Sequence, residues 1–132
     1  MIKVVVDTNV LVSALLSPEG NPAKILSLVL NNKLMLCFDS SIILEYEDVL
    51  SRKKFSFKPQ DVAALIYTIN QLGVSFVRIP SKFEFIDEAD RKFFEAALSS
   101  NAYLITGNTK HFPKESFVVS PSVFIEKIWM KE

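Results

Sequence analysis

Several residue types that mark whole classes of protein are scarce in this chain. The single cysteine, Cys37, cannot form an internal disulfide, and its apolar surroundings favour packing as a small hydrophobic side chain in a reducing cytoplasm. No stretch approaches the run of about 18 apolar residues that spans a bilayer, and the first apolar run ends at Asp7, too early for a signal-peptide core. We therefore expect a cytoplasmic protein without a membrane anchor.

Net charge is also absent, because 15 Lys and Arg residues balance 15 Asp and Glu residues. No overall field would draw the chain onto a polyanion, so any nucleic acid must be held by a local patch or by metal ions. A hydrophobic fraction of 49% and a charged fraction of 23% are typical of a folded globular protein. The length predicts one domain over residues 1–132.

The N-terminal stretch combines an apolar run with an abrupt polar stop. Residues 2–6 are mainly β-branched, which predicts a strand buried on both faces of a parallel sheet. Asp7 follows directly, at the strand end where parallel α/β sheets place their chemistry. The alternative is that Asp7 or Thr8 only caps the next helix.

Helix-like and strand-like patterns alternate along the rest of the chain. This alternation predicts an α/β fold with a mostly parallel central sheet. Helices are predicted at 10–16, 22–30, 42–52, 60–72, 87–101 and from residue 121, and further strands at 34–38, 74–79, 103–105 and 117–119.

Two more acids stand out from their helices. Asp90 lies within an apolar stripe formed by Phe93, Phe94, Ala97 and Leu98, so it is predicted to face the protein. The alternative is a capping box in which Asp87 is the N-cap and Asp90 the third helical residue. Glu45 lies at the edge of its own stripe, where a solvated acid is the simpler interpretation.

The acids become informative as a set. Asp7 and the stretch Thr106-Gly-Asn108 follow strands, and a parallel sheet brings such strand ends to one edge. Carboxylates buried together are costly unless a cation joins them. Because the donors are hard oxygens with no His or Cys nearby, the pattern indicates Mg²⁺ or Mn²⁺ and not zinc.

Four ordered stretches resemble the motifs of the PIN-domain family and span nearly the whole chain. The similarity is greatest to toxin components of bacterial and archaeal toxin–antitoxin systems. The stretches are Asp7-Thr-Asn-Val-Leu-Val12, Ser40 with Glu45-Tyr-Glu-Asp-Val-Leu-Ser-Arg52 and Lys54-Phe55, Asp87 with Asp90-Arg-Lys-Phe93, and Tyr103-Leu-Ile-Thr-Gly-Asn-Thr-Lys-His-Phe-Pro113.

The resemblance implies a three-layer α/β/α fold and a metal-dependent endoribonuclease. It assigns Asp7, Glu45 and Asp90 to a catalytic Mg²⁺ or Mn²⁺ site. Polar support is expected from Asn9, Asp87, Thr106 and Asn108. The resemblance also implies an RNA substrate, a small antitoxin partner and a homodimer, for which Phe55, Phe57, Phe83, Phe85 and Trp129 are numerous enough to supply an interface.

Basic side chains near the motifs are candidates for holding RNA, although for any single one a solvated surface charge is the favoured interpretation. They are Arg52, Lys53, Lys54, Arg91, Lys92 and Lys110. His111, the only histidine, can contact phosphate or serve as a surface or packing residue.

Two other functions are compatible with an Asp after the first strand. A phosphatase with Asp7 as nucleophile would be expected to carry Asp-x-Asp, but Asn9 stands at the second position. A binding module without catalysis is a stronger rival, since fold does not guarantee function and Asn108 stands where many members of the family have Asp.

Overall fold

Val4 and Val5 have no exposed surface, because their strand runs through the middle of a five-stranded parallel sheet. The computed structural model describes residues 1–131. The strand order is β3-β2-β1-β4-β5. The strands are β1 (Lys3–Val6), β2 (Met35–Phe38), β3 (Val74–Ser75), β4 (Tyr103–Ile105) and β5 (Val118–Val119). In register, Val4 pairs with Leu36 on one side and with Tyr103 on the other.

Helices cover both faces of this sheet and give the three-layer α/β/α arrangement. They are α1 (Thr8–Leu16), α2 (Asn21–Leu30), α3 (Ser40–Leu50), α4 (Pro59–Leu72), α5 (Arg91–Ser100) and α6 (Pro121–Val123). The chain moves from β1 through β2 to β3 and then returns to β4 on the far side of β1. Since parallel crossovers are right-handed, this reversal puts α5 on the face opposite α1 to α4.

Two helix ends, the start of α3 and the end of α4, are fixed next to β2 by local contacts. The Asp39 side chain accepts a 3.0 Å hydrogen bond from the Ile42 backbone N–H and so caps α3 directly after β2. The C-terminus of α4 is at Gly73, whose backbone packs closely against Phe38 and Leu36 of β2. The N-terminus of α3 therefore lies at the sheet edge that carries Asp7, whereas the C-terminus of α4 lies where the chain enters β3.

Four sequence predictions differ from the structure in detail. The strand predicted at 74–79 ends at Ser75, because Arg78 turns aside to pair with carboxylates and Pro80 has no N–H to donate. The helix predicted at 87–101 begins as a 3₁₀ turn, Glu88–Asp90, before α5. Leu98, predicted in the apolar stripe of α5, is 43% exposed. After α6 the chain continues as a π-helix, Phe124–Trp129.

Across 1–131, every helix is too short or too polar to cross a bilayer.

Candidate active site

Asp7 lies at the carboxyl end of β1 and is only 7% exposed. It occupies the N-cap position of α1, yet its side chain makes no capping hydrogen bond. Its Oδ2 instead accepts a 2.8 Å hydrogen bond from Thr106 Oγ1 at the end of β4. The interpretation of Asp7 as a simple helix cap is therefore wrong, and its carboxylate is directed toward the neighbouring strand end.

Among the acids near the sheet edge, Asp7 has the pKa that departs most from its ordinary value. Burial raises the pKa of Asp7 from 3.8 to about 6, the nearby charges of Asp90 and Glu45 add to the rise, and the hydrogen bond from Thr106 opposes it. A carboxylate held among like charges in this way attracts a cation or keeps its proton.

The β4 end supplies the polar support that the sequence predicts. Thr106 is fully buried, and its Oγ1 also accepts a 3.0 Å hydrogen bond from the Asn108 backbone N–H. Asn9 Oδ1 accepts a 3.5 Å hydrogen bond from the Gly107 N–H, which ties the β1 end to the β4 end. Asn108 is exposed, and its side chain does not cap the following 3₁₀ turn.

Glu45 reaches the site from α3, because its neighbour Tyr46 anchors that helix to the end of β1. The fully buried Tyr46 hydroxyl donates a 2.5 Å hydrogen bond to the Val6 carbonyl oxygen, one residue before Asp7. Burial and the negative charges of Asp7 and Glu45 raise the pKa of Tyr46 well above its ordinary value, so it remains a donor. Sequence periodicity marks Tyr46 only as a core residue.

Both carboxylate oxygens of Glu45 are engaged by the protein itself. Lys92 Nζ lies 2.7 Å from Glu45 Oε1, and Thr8 Oγ1 donates a hydrogen bond to Glu45 Oε2. Lys92 Nζ also donates to the Ala89 carbonyl oxygen at 2.6 Å. Lys92, one of the candidates for holding RNA, therefore has a side chain that is only 16% exposed and paired with an acid of the site.

Asp90 completes the acidic cluster at the start of α5. Burial, followed by the charge of Asp87, raises the pKa of Asp90, with a smaller contribution from Glu45, whereas His111 and Lys92 oppose the rise. Asp87 itself accepts a 3.0 Å hydrogen bond from the Ala89 N–H, so it does act as a cap. His111 Nδ1 lies 3.9 Å from Asp90 Oδ2 at the rim.

The donor set suits Mg²⁺ or Mn²⁺, but the side chains are not arranged around one ion. Asp7, Glu45 and Asp90 offer hard carboxylate oxygens, and the mutual repulsion that raises the pKa of Asp7 favours a cation among them. Within residues 1–131, however, no three His, Cys, Asp or Glu side chains converge on a single position. An ion bound by Glu45 would lie beside the Lys92 ammonium group, which repels it.

A cleft of about 380 Å³ opens at this edge. Its lining includes Asp7, Thr8, Asn9, Glu45 and, on the apolar side, Phe55. Two carboxylates, the amide of Asn9 and an aromatic ring thus share one concave surface. Such a surface suits a ligand with both a polar and an apolar part.

The other predicted RNA contacts divide into free and engaged groups. Lys54 and Lys110 are exposed, and Arg52 is half exposed with a weak pair to Asp48 at 3.2 Å. Arg91 is engaged: its guanidinium pairs with Glu88 at 2.8 Å and donates to the Phe83 carbonyl oxygen at 2.7 Å. The prediction of Arg91 as an RNA contact is not supported by this geometry.

The sequence interpretation missed a buried charge network behind the site. Glu95 is 4% exposed and pairs with Arg78 at 3.2 Å, and Arg78 in turn pairs with Asp39 at 2.5 Å. Ser81 donates its N–H to Glu95 at 2.6 Å. This network fastens the 76–87 connection between β3 and α5. A glutamate within the otherwise apolar run 93–97 is the signal that could have revealed it.

Comparison with known proteins decides the family. The family model described as PIN domain matches residues 3–110, which is most of the chain. The chain belongs to the PIN-domain family. It is also 35% identical over 111 residues to the uncharacterized protein MJ1680 of Methanocaldococcus jannaschii, a match that covers 81% of this chain and 71% of that protein.

As a PIN domain, the protein has a nuclease-like fold, which supports a hydrolase. The PIN-domain match includes every element that carries Asp7, Glu45, Asp90 and Thr106. The likeness to the archaeal protein adds no activity, since that protein is uncharacterized.

Proposed function

We propose that this PIN domain is an endoribonuclease that hydrolyses RNA phosphodiester bonds with Mg²⁺ or Mn²⁺ held by Asp7, Glu45 and Asp90. The observation that carries the proposal is the buried Asp7 carboxylate at the end of β1, whose pKa is raised to about 6 by burial and by the two other acids. A structural acid would be expected to have a basic partner, whereas Asp7 has a hydroxyl.

In this proposal, each residue of the candidate site has a separate task. Thr106 orients the Asp7 carboxylate through its 2.8 Å hydrogen bond, and Thr8 orients Glu45. When bound, the divalent ion supplies Lewis acidity that activates an attacking water and stabilises the departing oxygen. No side chain needs to act as nucleophile, so the expected products carry a 5′-phosphate and a 3′-hydroxyl.

We further propose that the protein is the cytoplasmic toxin of a toxin–antitoxin pair and a homodimer. The similarity of its ordered motifs to such toxins supports the first part. The aromatic residues predicted for an interface pack within the chain: Phe83 and Phe85 meet Phe94 edge-on, and Phe55, Phe57 and Trp129 lie against the core. Exposed Val77 and Ile79, at 90% and 66%, are better candidates for the dimer contact.

A PIN-fold binding module without catalysis is the second candidate. The ion pair between Lys92 and Glu45 favours it, because that pair already satisfies one acid of the site. The amide of Asn108 favours it as well, because it supplies no charge where many family members have a carboxylate.

The decisive experiment measures cleavage of a fluorescent single-stranded RNA with Mg²⁺, with Mn²⁺ and with EDTA. We expect metal-dependent cleavage that disappears in Asp7→Asn and persists in Asp61→Asn, a matched change of an exposed acid on α4. Millimolar metal should also raise the melting temperature, since a ligand at a hundred times its Kd stabilises by about 2.7 kcal/mol. RNA binding without cleavage or metal stabilisation would favour the binding module.

A further inference from the structure

The segment that follows α3 is the most basic part of the chain and also carries two aromatic rings. Residues 52–58 read Arg-Lys-Lys-Phe-Ser-Phe-Lys, with no acid among them. Lys53–Phe55 form a 3₁₀ turn, so the segment is ordered next to the sheet edge. Among residues 1–131, no carboxylate forms an ion pair with Lys53, Lys54 or Lys58, in contrast to Arg52. Three cations here are free for phosphate.

Phe55 brings this segment into the cleft of the acids. Its ring lines the same concave surface as Asp7 and Glu45. Phe57 stacks on Phe55 with ring centroids 5.6 Å apart and an angle of 14° between the planes. Ser56 between them adopts a left-handed conformation with φ of 58°. The Phe55 ring is therefore held in position before any ligand arrives.

Positive charge accompanies the ring. Lys54 Nζ lies 5.1 Å from the centroid of the Phe55 ring. A nucleobase stacked beside the ring would therefore bring its phosphate close to an ammonium group, while the acids of the site lie along the same cleft. Stacking on aromatic side chains together with lysine contacts to the backbone is the usual way to bind single strands.

We propose that Phe55 stacks on an unpaired base of single-stranded RNA and, with Lys53 and Lys54, places an adjacent phosphodiester beside Asp7 and Glu45. The inference rests on the proposed function and adds to it a positioning role for Phe55, Lys53 and Lys54. A duplex keeps its bases stacked on one another, so it offers the ring no free base face. The site should therefore select single strands by stacking and not by base-edge hydrogen bonds.

The test measures RNA binding separately from cleavage. Fluorescence anisotropy in EDTA gives the Kd of a short labelled single-stranded RNA and of the same sequence in a duplex. The variants are Phe55→Leu, which keeps an apolar side chain against the core, and Phe83→Leu, a matched loss of a ring that is 40% exposed and does not line the cleft. Circular dichroism and melting curves confirm that each variant folds.

We expect Phe55→Leu to weaken single-strand binding about tenfold, within the range of one stacked base, and Phe83→Leu to leave it unchanged. Walking a single abasic site along the RNA should locate one position where the wild type loses about the same affinity and Phe55→Leu loses none. That non-additivity is a signature that a purely packing role for Phe55 would not produce.

Three results would overturn the proposal. They are equal binding by wild type and Phe55→Leu, equal affinity for duplex and single strand, and an abasic effect that is the same in both proteins. Because these measurements need no metal and no turnover, they stand apart from the cleavage assay. If the protein binds RNA as expected but does not cleave it, the stacking role of Phe55 stands and the proposed nuclease activity is refuted.

Discussion

Lys92 Nζ and Glu45 Oε1 lie 2.7 Å apart, an ion pair between the start of α5 and the middle of α3. The two side chains are 16% and 25% exposed, so the contact is shielded more than a surface pair. It puts an ammonium group among the acids of the candidate site. In the proposed nuclease, a divalent ion must therefore compete with a cation that the chain itself supplies.

Replacing Lys92 should expose this competition. We expect Lys92→Met to raise the affinity for Mn²⁺ by about three- to tenfold, because Glu45 is released, and to lower the stability of the metal-free protein, because the acids then lack their cation. Isothermal titration calorimetry gives the affinity and urea unfolding the stability. Lys24→Met, on the exposed side of α2, is the control. Unchanged Mn²⁺ affinity would show that the ion pair and the metal do not compete.

The buried Asp7 should make the metal-free protein less stable as pH rises. Its folded pKa of about 6 lies above the ordinary 3.8, so the folded state binds more protons between these values and stability falls from about pH 4 to about pH 6. At about 1.4 kcal/mol per pH unit the fall is about 3 kcal/mol.

Asp7→Asn isolates this effect, since an amide oxygen can still accept the Thr106 hydrogen bond. We expect the variant to match the wild type near pH 4 and to be the more stable protein at pH 8, as measured by urea unfolding in EDTA. If both proteins show the same pH profile, Asp7 is not the group whose pKa is raised.

Asn108 is where the chain departs from many members of its family. Its exposed side chain makes no capping hydrogen bond, so Asn108→Asp should add a carboxylate to the site without loss of structure. We expect tighter Mn²⁺ binding by calorimetry and no decrease in cleavage. Thr109→Asp adds the same charge one residue away. If both variants raise the Mn²⁺ affinity equally, the increase reflects the added negative charge in general and not a carboxylate at position 108.

A substitution at Gly73 tests how closely the end of α4 packs against β2. A Cβ there would overlap the Phe38 ring and lie 2.7 Å from the Leu36 carbonyl oxygen and 2.9 Å from that of Ile69. Since two of these neighbours are backbone, Gly73→Ala should destabilise by about 1–3 kcal/mol in urea unfolding. At Gly20 the nearest atom to a Cβ is 3.5 Å away, so Gly20→Ala should change stability by less than about 0.5 kcal/mol. Similar losses at both sites would rule out the steric explanation.

Local patterns along the chain were enough for the architecture and for singling out Asp7 and Asp90, whereas Glu45 was assigned only through the family resemblance. The β-branched run before Asp7 predicts a central buried strand, because a strand covered on both faces has no need of alternation. Alternating strand and helix patterns predict the parallel sheet, and the rule that strand ends share an edge brings Asp7 and Thr106 together, as the 2.8 Å hydrogen bond confirms.

Only the tertiary structure decided how the charges pair. Lys92 and Arg91 look like ordinary residues of a charged helix, yet Lys92 pairs with Glu45, 47 positions earlier in the chain. Glu95 stands out within an apolar run, but only the structure shows that it pairs with Arg78 outside the helix. Helical periodicity gives the face on which a side chain lies but not the partner it meets, which depends on how helices from distant parts of the chain are set against the sheet. The sequence thus determined which oxygens gather at the edge, and the packing of α3 against α5 determined that a lysine already lies among them.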